Sequence, residues 1–152
     1  MLGRGTSNAN VGANSSISKG SPLDPSAITT ALSLTTGPVV IISTLGQTRT
    51  SGNHFSATTS PLFMSQSATA VIKAVKASNN KVLKVILMSM FGAGSSFRNL
   101  NFVMRATMLF SNMKQTLEDQ NAVDQIIKQS KLRFVMPRPA MLKGDVALPV
   151  KP

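Results

Sequence analysis

An α/β fold built on a parallel, doubly wound sheet is what this sequence predicts, on three observations. Short apolar runs, VVIIST at Val39–Thr44 and VLKVILMS from Val82 to Ser89, are bounded by turn residues and read as buried strands. Amphipathic helical patterns lie between such runs and are joined to them by short links. A strand–helix–strand unit of this kind is right-handed and parallel almost without exception, and its repetition argues for an α/β sheet.

The elements follow in order. Met1–Ser16 is rich in Gly, Asn and Ser and reads as a disordered tail, leaving residues 17–152 as one domain. Ile17–Pro25 (ISKGSPLDP) looks like the end of a strand running into a turn, which makes four strand candidates in all. Asp24 stands where a helix cap is wanted, with Pro25 suited to the first helical position and Ser26–Leu34 as the helix. After Val39–Thr44, Gln47–Ser60 is polar and long enough to be a functional loop. Ala68, Val71, Ile72 and Val75 then recur at helical spacing, with Lys73 and Lys76 off the stripe, predicting a helix over Ser65–Ala77. Phe97–Met113 and Lys114–Ser130 both read as helices, the second with its stripe at Leu117, Val123, Ile126 and Ile127. Leu132–Met136 is a final short strand, halted by Pro137-Arg138-Pro139, and Gly144–Pro152 reads as an irregular surface segment.

Composition bounds the function. The chain has 152 residues, enough for one core-bearing domain. It has no Cys, which excludes disulfides, a thiol nucleophile and thiolate metal sites. A single His (His54) and five carboxylates argue against a protein-held metal. Sixteen Lys+Arg against five Asp+Glu give +11, which raises nucleic acid as a partner. The cations are scattered from Arg4 to Lys151, and there is no Tyr or Trp to stack on bases. A solvated basic surface or an anionic small ligand is therefore favoured over nucleic acid. The apolar stretches fall short of the roughly 18 residues a membrane span needs, and a cytoplasmic location is expected.

Few motifs carry chemistry. Gly92-Ala93-Gly94 follows a strand, but the dinucleotide fingerprint needs a third glycine where Phe97 stands. The glycines therefore read as a turn. Ser89, at the carboxyl end of its strand, sits where α/β sheets bind ligands. It is equally the residue type that caps a strand, and position does not separate the two. His54 lies in a polar loop and there is no G-x-S-x-G, which disfavours a serine hydrolase. Glu118, Asp119 and Asp124 share one helix; the two aspartates are five apart and read as a solvated face balancing Lys114 and Lys128. Met88, Met90, Met104, Met108 and Met113 read mostly as core packing.

The order of these pieces resembles the atypical short-chain dehydrogenase/reductase family of NAD(P)-binding proteins, the group that includes flavin reductase-like members. The resemblance is carried by KGSPLDPSAITTAL, VVIISTLGQTR, FMSQSATAVIKAVKASNNKVLKVILMSMFGAG and VDQIIKQSKLRFVMPRPAML, and covers about Ile17 to Gly144. It implies a Rossmann-like parallel sheet. It places Leu45 and Gly46 near the adenosine half of NADP or NAD, and Ser89 and Met90 near the nicotinamide. It has Pro139 and Ala140 closing over the nicotinamide ribose. Arg49, in the loop after Gly46, is the candidate for a 2′-phosphate, since a guanidinium pairs bidentately with phosphate.

Three departures from the family pattern shape the expected function. The opening strand–glycine turn–helix that holds the pyrophosphate does not precede Ile17, so the fold is expected to be N-terminally truncated. Ser21 stands where the family's G-D-x-x-D aspartate contacts adenine. Thr116 and Gln120 occupy the places of the Tyr-x-x-x-Lys pair. The expectation is an NAD(P)-fold protein acting as an NAD(P)H-dependent oxidoreductase on a small-molecule acceptor, with Ser89 as the catalytic candidate and cofactor binding weakened or lost. The alternative is a non-catalytic sensor or scaffold that binds a protein partner or a second copy of itself.

Overall fold

The computed structural model describes residues 17–51 and 56–139. Met1–Ser16, His54, Ala140 and Gly144–Pro152 lie outside the described residues. The elements run α1 (Pro25–Ser33), β1 (Val39–Ser43), α2 (Phe63–Ala77), β2 (Val82–Leu87), a 3₁₀ helix (Gly94–Asn99), α3 (Phe102–Phe110), α4 (Met113–Gln129) and β3 (Phe134–Val135). Asp24 caps α1 as its sequence position predicts, accepting from the Ser26 N–H at 2.9 Å and the Ser26 hydroxyl at 2.6 Å. Pro25 supplies the preset φ of the first turn.

The sheet has three strands in the order β1-β2-β3, all parallel. Ile41, Val85 and Phe134 are register partners and face the helices. There they join Met64, Ala68, Val71, Ile72 and Val75 of α2 and Val123 and Ile127 of α4 in the main core. The Ser65–Ala77 stripe is therefore the buried face of α2, and Lys73 and Lys76 are exposed. A smaller core of Ala93, Leu100, Met108 and Leu117 sits beyond the carboxyl end of β2.

Three expectations are corrected. The sheet is not doubly wound among the described residues. Consecutive strand order makes both right-handed crossovers step the same way, so α2 and α4 lie on one face and pack on each other. Val40, Ile42, Lys84, Ile86 and Val135 share the other face, where Ile42 is 66 % exposed. An all-apolar run such as VVIIS carries no sign of which face is covered. Second, Ile17–Gly20 forms no strand and runs directly into a turn at Pro22–Leu23. Third, the helix expected over Phe97–Met113 is interrupted. Leu100 and Asn101 are extended, and Asn101 caps α3 by accepting from the Met104 N–H at 2.8 Å.

Candidate functional site

The carboxyl ends of the strands form one edge, and backbone hydrogen bonds carry the pairing past the strands themselves. The Met88 N–H donates to the Ser43 carbonyl and the Ser89 N–H to the Pro137 carbonyl, each at 2.9 Å. Ser89 is thus held between the chain leaving β1 and the chain leaving β3, in the middle of the edge where a parallel sheet presents a ligand site. It is 6 % exposed. Its hydroxyl donates to Gln120 Oε1 of α4 at 3.1 Å.

Helix α4 reaches every part of this edge. One turn before Gln120, Thr116 Oγ1 accepts from Arg49 Nη2 at 3.3 Å, while Arg49 Nη1 donates to the Ser56 carbonyl at 2.9 Å. The loop bearing Arg49 is folded on itself by an antiparallel bridge between Arg49 and Thr58. Asp119, only 1 % exposed, accepts from the N–H groups of Met64 and Ser65 at 2.9 Å each and from Gln47 Nε2 at 2.7 Å. It caps α2 from another helix, because Leu62 at the N-cap has no side chain able to do so. Asn121 Oδ1 accepts from the Gly94 N–H at 2.7 Å. Asp124 pairs with Arg138 Nη2 at 2.7 Å and with Lys128, and Arg138 Nη1 donates to Ser95 Oγ at 3.1 Å.

The residues expected to bind a dinucleotide are distributed along this edge. Ser89 and Arg49 are both tied to α4, one turn apart, through Gln120 and Thr116. Leu45 packs against the main core and Met90 against the smaller one. Gly46 is exposed, with nothing within 4 Å of where a Cβ would stand, and Pro139 is half-buried beside Arg138. Asp119 and Asp124 do not form the solvated face that their charge suggests; both are buried. The signal that points to Asp119 is the stretch Pro61-Leu62-Phe63, a helix start with no Ser, Thr, Asp or Asn to cap it, which requires an acceptor from elsewhere. Lys114 does pair with Glu118, at 3.7 Å, on the exposed side.

The two places where topology would put a phosphate are filled from inside. The donors at the start of α2 are taken by Asp119. In the Gly92–Gly94 turn, a Cβ on Gly92 would meet Met108 Sδ at 2.8 Å, and one on Gly94 would meet Arg138 Nη2 at 2.9 Å. The turn is packed, with φ of +96° and +55° at its glycines, and is not a cradle. The buried Ser89–Gln120 pair has the donors and acceptors that an amide such as a carboxamide pairs with, whereas the backbone donors at the start of α2 and in the glycine turn are already engaged.

A parallel sheet with crossover helices and a polar site at the strand carboxyl ends defines a Rossmann-like α/β protein. The chain belongs to the NAD(P)H-binding family, which it matches over residues 4–150. Among solved structures it is similar to ChuY, an anaerobillin reductase from Escherichia coli O157:H7, at 22 % identity and a TM-score of 0.54. The match covers 79 % of this chain and 48 % of that one, so the chain spans about half the length of the reductase it resembles. No curated protein matches it. Among the described residues, no helix is long and apolar enough to cross a membrane and no group of residues is placed to hold a metal ion.

Proposed function

We propose that this chain carries the nicotinamide half of an NAD(P)H-dependent oxidoreductase site, with weak affinity for the dinucleotide. The observation that supports this most is the Ser89–Gln120 pair, buried at the carboxyl end of the central strand in a chain of the NAD(P)H-binding family. A bound nicotinamide supplies hydride. Ser89 and Gln120 orient it: a hydroxyl and an amide at hydrogen-bond distance offer both donors and acceptors to a carboxamide or a ribose hydroxyl. Met90, half-buried against the smaller core, gives the ring an apolar wall. Leu45, Gly46, Arg49 and Pro139 flank the rest of the molecule.

Neither Thr116 nor Gln120 releases a proton near neutral pH, so the site has no acid comparable to a tyrosine assisted by lysine. That favours acceptors that take their proton from water, such as flavins and quinones, over carbonyl reduction. The filled α2 terminus and the packed glycine turn account for weak affinity, since both donor sets that hold phosphates are spent internally.

Calorimetric titration with NADPH and NADH tests the reading. A dissociation constant of roughly 0.1–1 mM, about −4 to −5.5 kcal/mol, is expected. A Gln120→Leu variant should bind about tenfold more weakly. Micromolar binding would overturn the weak-affinity part, and no saturable binding would overturn the whole. Oxidation of NADPH in the presence of flavin or quinone acceptors then separates a reductase from a domain that only binds.

A further inference from the structure

Among the described residues, helix α3 buries one side and leaves the other exposed. Met108 enters the smaller core. Arg105 is spent on its own neighbours, its Cζ 5.7 Å from the centre of the Phe97 ring and its Nη2 donating to the Arg98 carbonyl. On the opposite side Phe102, Ala106 and Phe110 form an i, i+4, i+8 row, with Val103 and Leu109 on its flanks. Phe102 is 84 % exposed and Phe110 89 %. There is no charge in the row. An aromatic side chain carries about 150–250 Å², so the two phenylalanines alone present roughly 300 Å². With Val103 and Leu109 the patch is at the upper limit of what monomers expose, about 300–600 Å².

We infer that α3 is the contact between two copies of this chain, paired antiparallel about a two-fold axis at Ala106. A two-fold contact is self-complementary, and an axis at Ala106 sets Phe102 of one copy on the partner's Phe110. Ala106, the small residue at the centre, lets the helices approach while the phenylalanines close both ends, about 12 Å apart along the helix. Burying the patch on both copies removes roughly 1,000 Å² before any rim is counted, the scale at which specific interfaces begin. The open sheet face is the competing surface, but Lys84 stands among its apolar residues. Two copies stacked there would oppose ammonium groups in a desolvated contact.

The charge of the chain makes the contact distinguishable by salt. Two molecules of +11 repel, so screening strengthens an apolar contact between them. Added salt weakens binding to nucleic acid or to an anionic membrane. Sedimentation equilibrium should find a dimer that tightens between about 0.01 M and about 0.15 M ionic strength. The Phe102→Ser/Phe110→Ser variant should associate roughly 100-fold more weakly with an unchanged circular dichroism spectrum, because both side chains are exposed in the single copy. The chain has no Cys, so Ala106→Cys should give a disulfide-linked dimer on mild oxidation and Ile42→Cys on the open sheet face should not. A wild-type monomer at about 100 μM, a dimer that loosens with salt, or cross-linking through Ile42→Cys instead would each overturn the inference. So would flotation of a wild-type monomer with phosphatidylserine vesicles.

Discussion

Replacing Asp119 with alanine removes the acceptor that three donors share: the N–H groups of Met64 and Ser65 and the side-chain amide of Gln47. Gln47 Nε2 keeps a second acceptor in the Pro61 carbonyl at 3.1 Å, so its loss is partial. The two backbone donors have no such reserve, since α2 lacks a side-chain cap of its own. A buried donor left unsatisfied costs about 1–3 kcal/mol, and α2 also loses the anion at the positive end of its dipole. The wild type carries the burden of a desolvated carboxylate without an ion pair among the described residues, which offsets part of this. The net expectation is a loss of about 4 kcal/mol, set mainly by the two backbone groups at about 2 kcal/mol each. With a urea m-value of roughly 2 kcal/mol/M for a chain of this size, the midpoint should fall by about 2 M. Asp119→Asn keeps one acceptor oxygen and should lose about half as much. The chain has no Trp or Tyr, so far-UV circular dichroism is the suitable readout. A loss below about 1 kcal/mol for the alanine variant, or a larger loss for asparagine than for alanine, would refute the capping argument.

Two further outcomes follow from local geometry. The Ser26 hydroxyl and N–H hold the Asp24 carboxyl below its ordinary 3.8. The charge-dependent part of that cap is therefore fully present above the unfolded-state value and is lost as pH falls through the lowered folded value. Asp24→Asn caps without titrating, so the stability difference between wild type and variant should be flat near neutral pH and shift toward the variant in acid. Thermal melts between pH about 7 and about 2 measure it, and a difference flat throughout would count against the cap. Gly92→Ala should lose about 1–2 kcal/mol, because φ is +96° there and Met108 Sδ lies 2.8 Å from the new Cβ. Gly46→Ala, with open space and no positive φ, should change stability little; equal losses in urea unfolding would show that backbone strain at Gly92 is not the cause.

The parts of the fold legible in the sequence are those fixed by local rules. Asp24 and Pro25 announce a helix start by their own chemistry, and the stripe from Ala68 to Val75 identifies the buried face of α2 because a helix has one period. Ser89 stands at the end of an apolar run, and the structure buries it just past the carboxyl end of β2. Asp119 and Asp124 depart from the rule that charge on an amphipathic helix marks the solvent side. Helix α4 is packed on more than its apolar stripe, with the start of α2 against Asp119 and Arg138 against Asp124. The spacing does carry a trace: Asp119 precedes Val123 and Ile127 by four and eight residues and Asp124 precedes Ile127 by three, so both stand on the buried side of the helix, where a carboxylate needs partners from elsewhere. The uncovered sheet face has no such trace, since strand order decides on which side the crossovers lie and apolar runs do not encode it.

Helix α4 emerges as the element that holds the site together, through the residues a sequence reader assigns to water. From α4, Thr116 fixes the Arg49 loop, Asp119 the start of α2, Gln120 the Ser89 hydroxyl, Asn121 the glycine turn and Asp124 the chain after β3. All these bonds point inward. The bonds to Asp119 also occupy the backbone donors at the start of α2. The Ser89–Gln120 pair keeps hydrogen-bonding capacity that a ligand can use: Gln120 Oε1 receives the serine proton, which leaves the amide nitrogen to donate and the serine oxygen to accept.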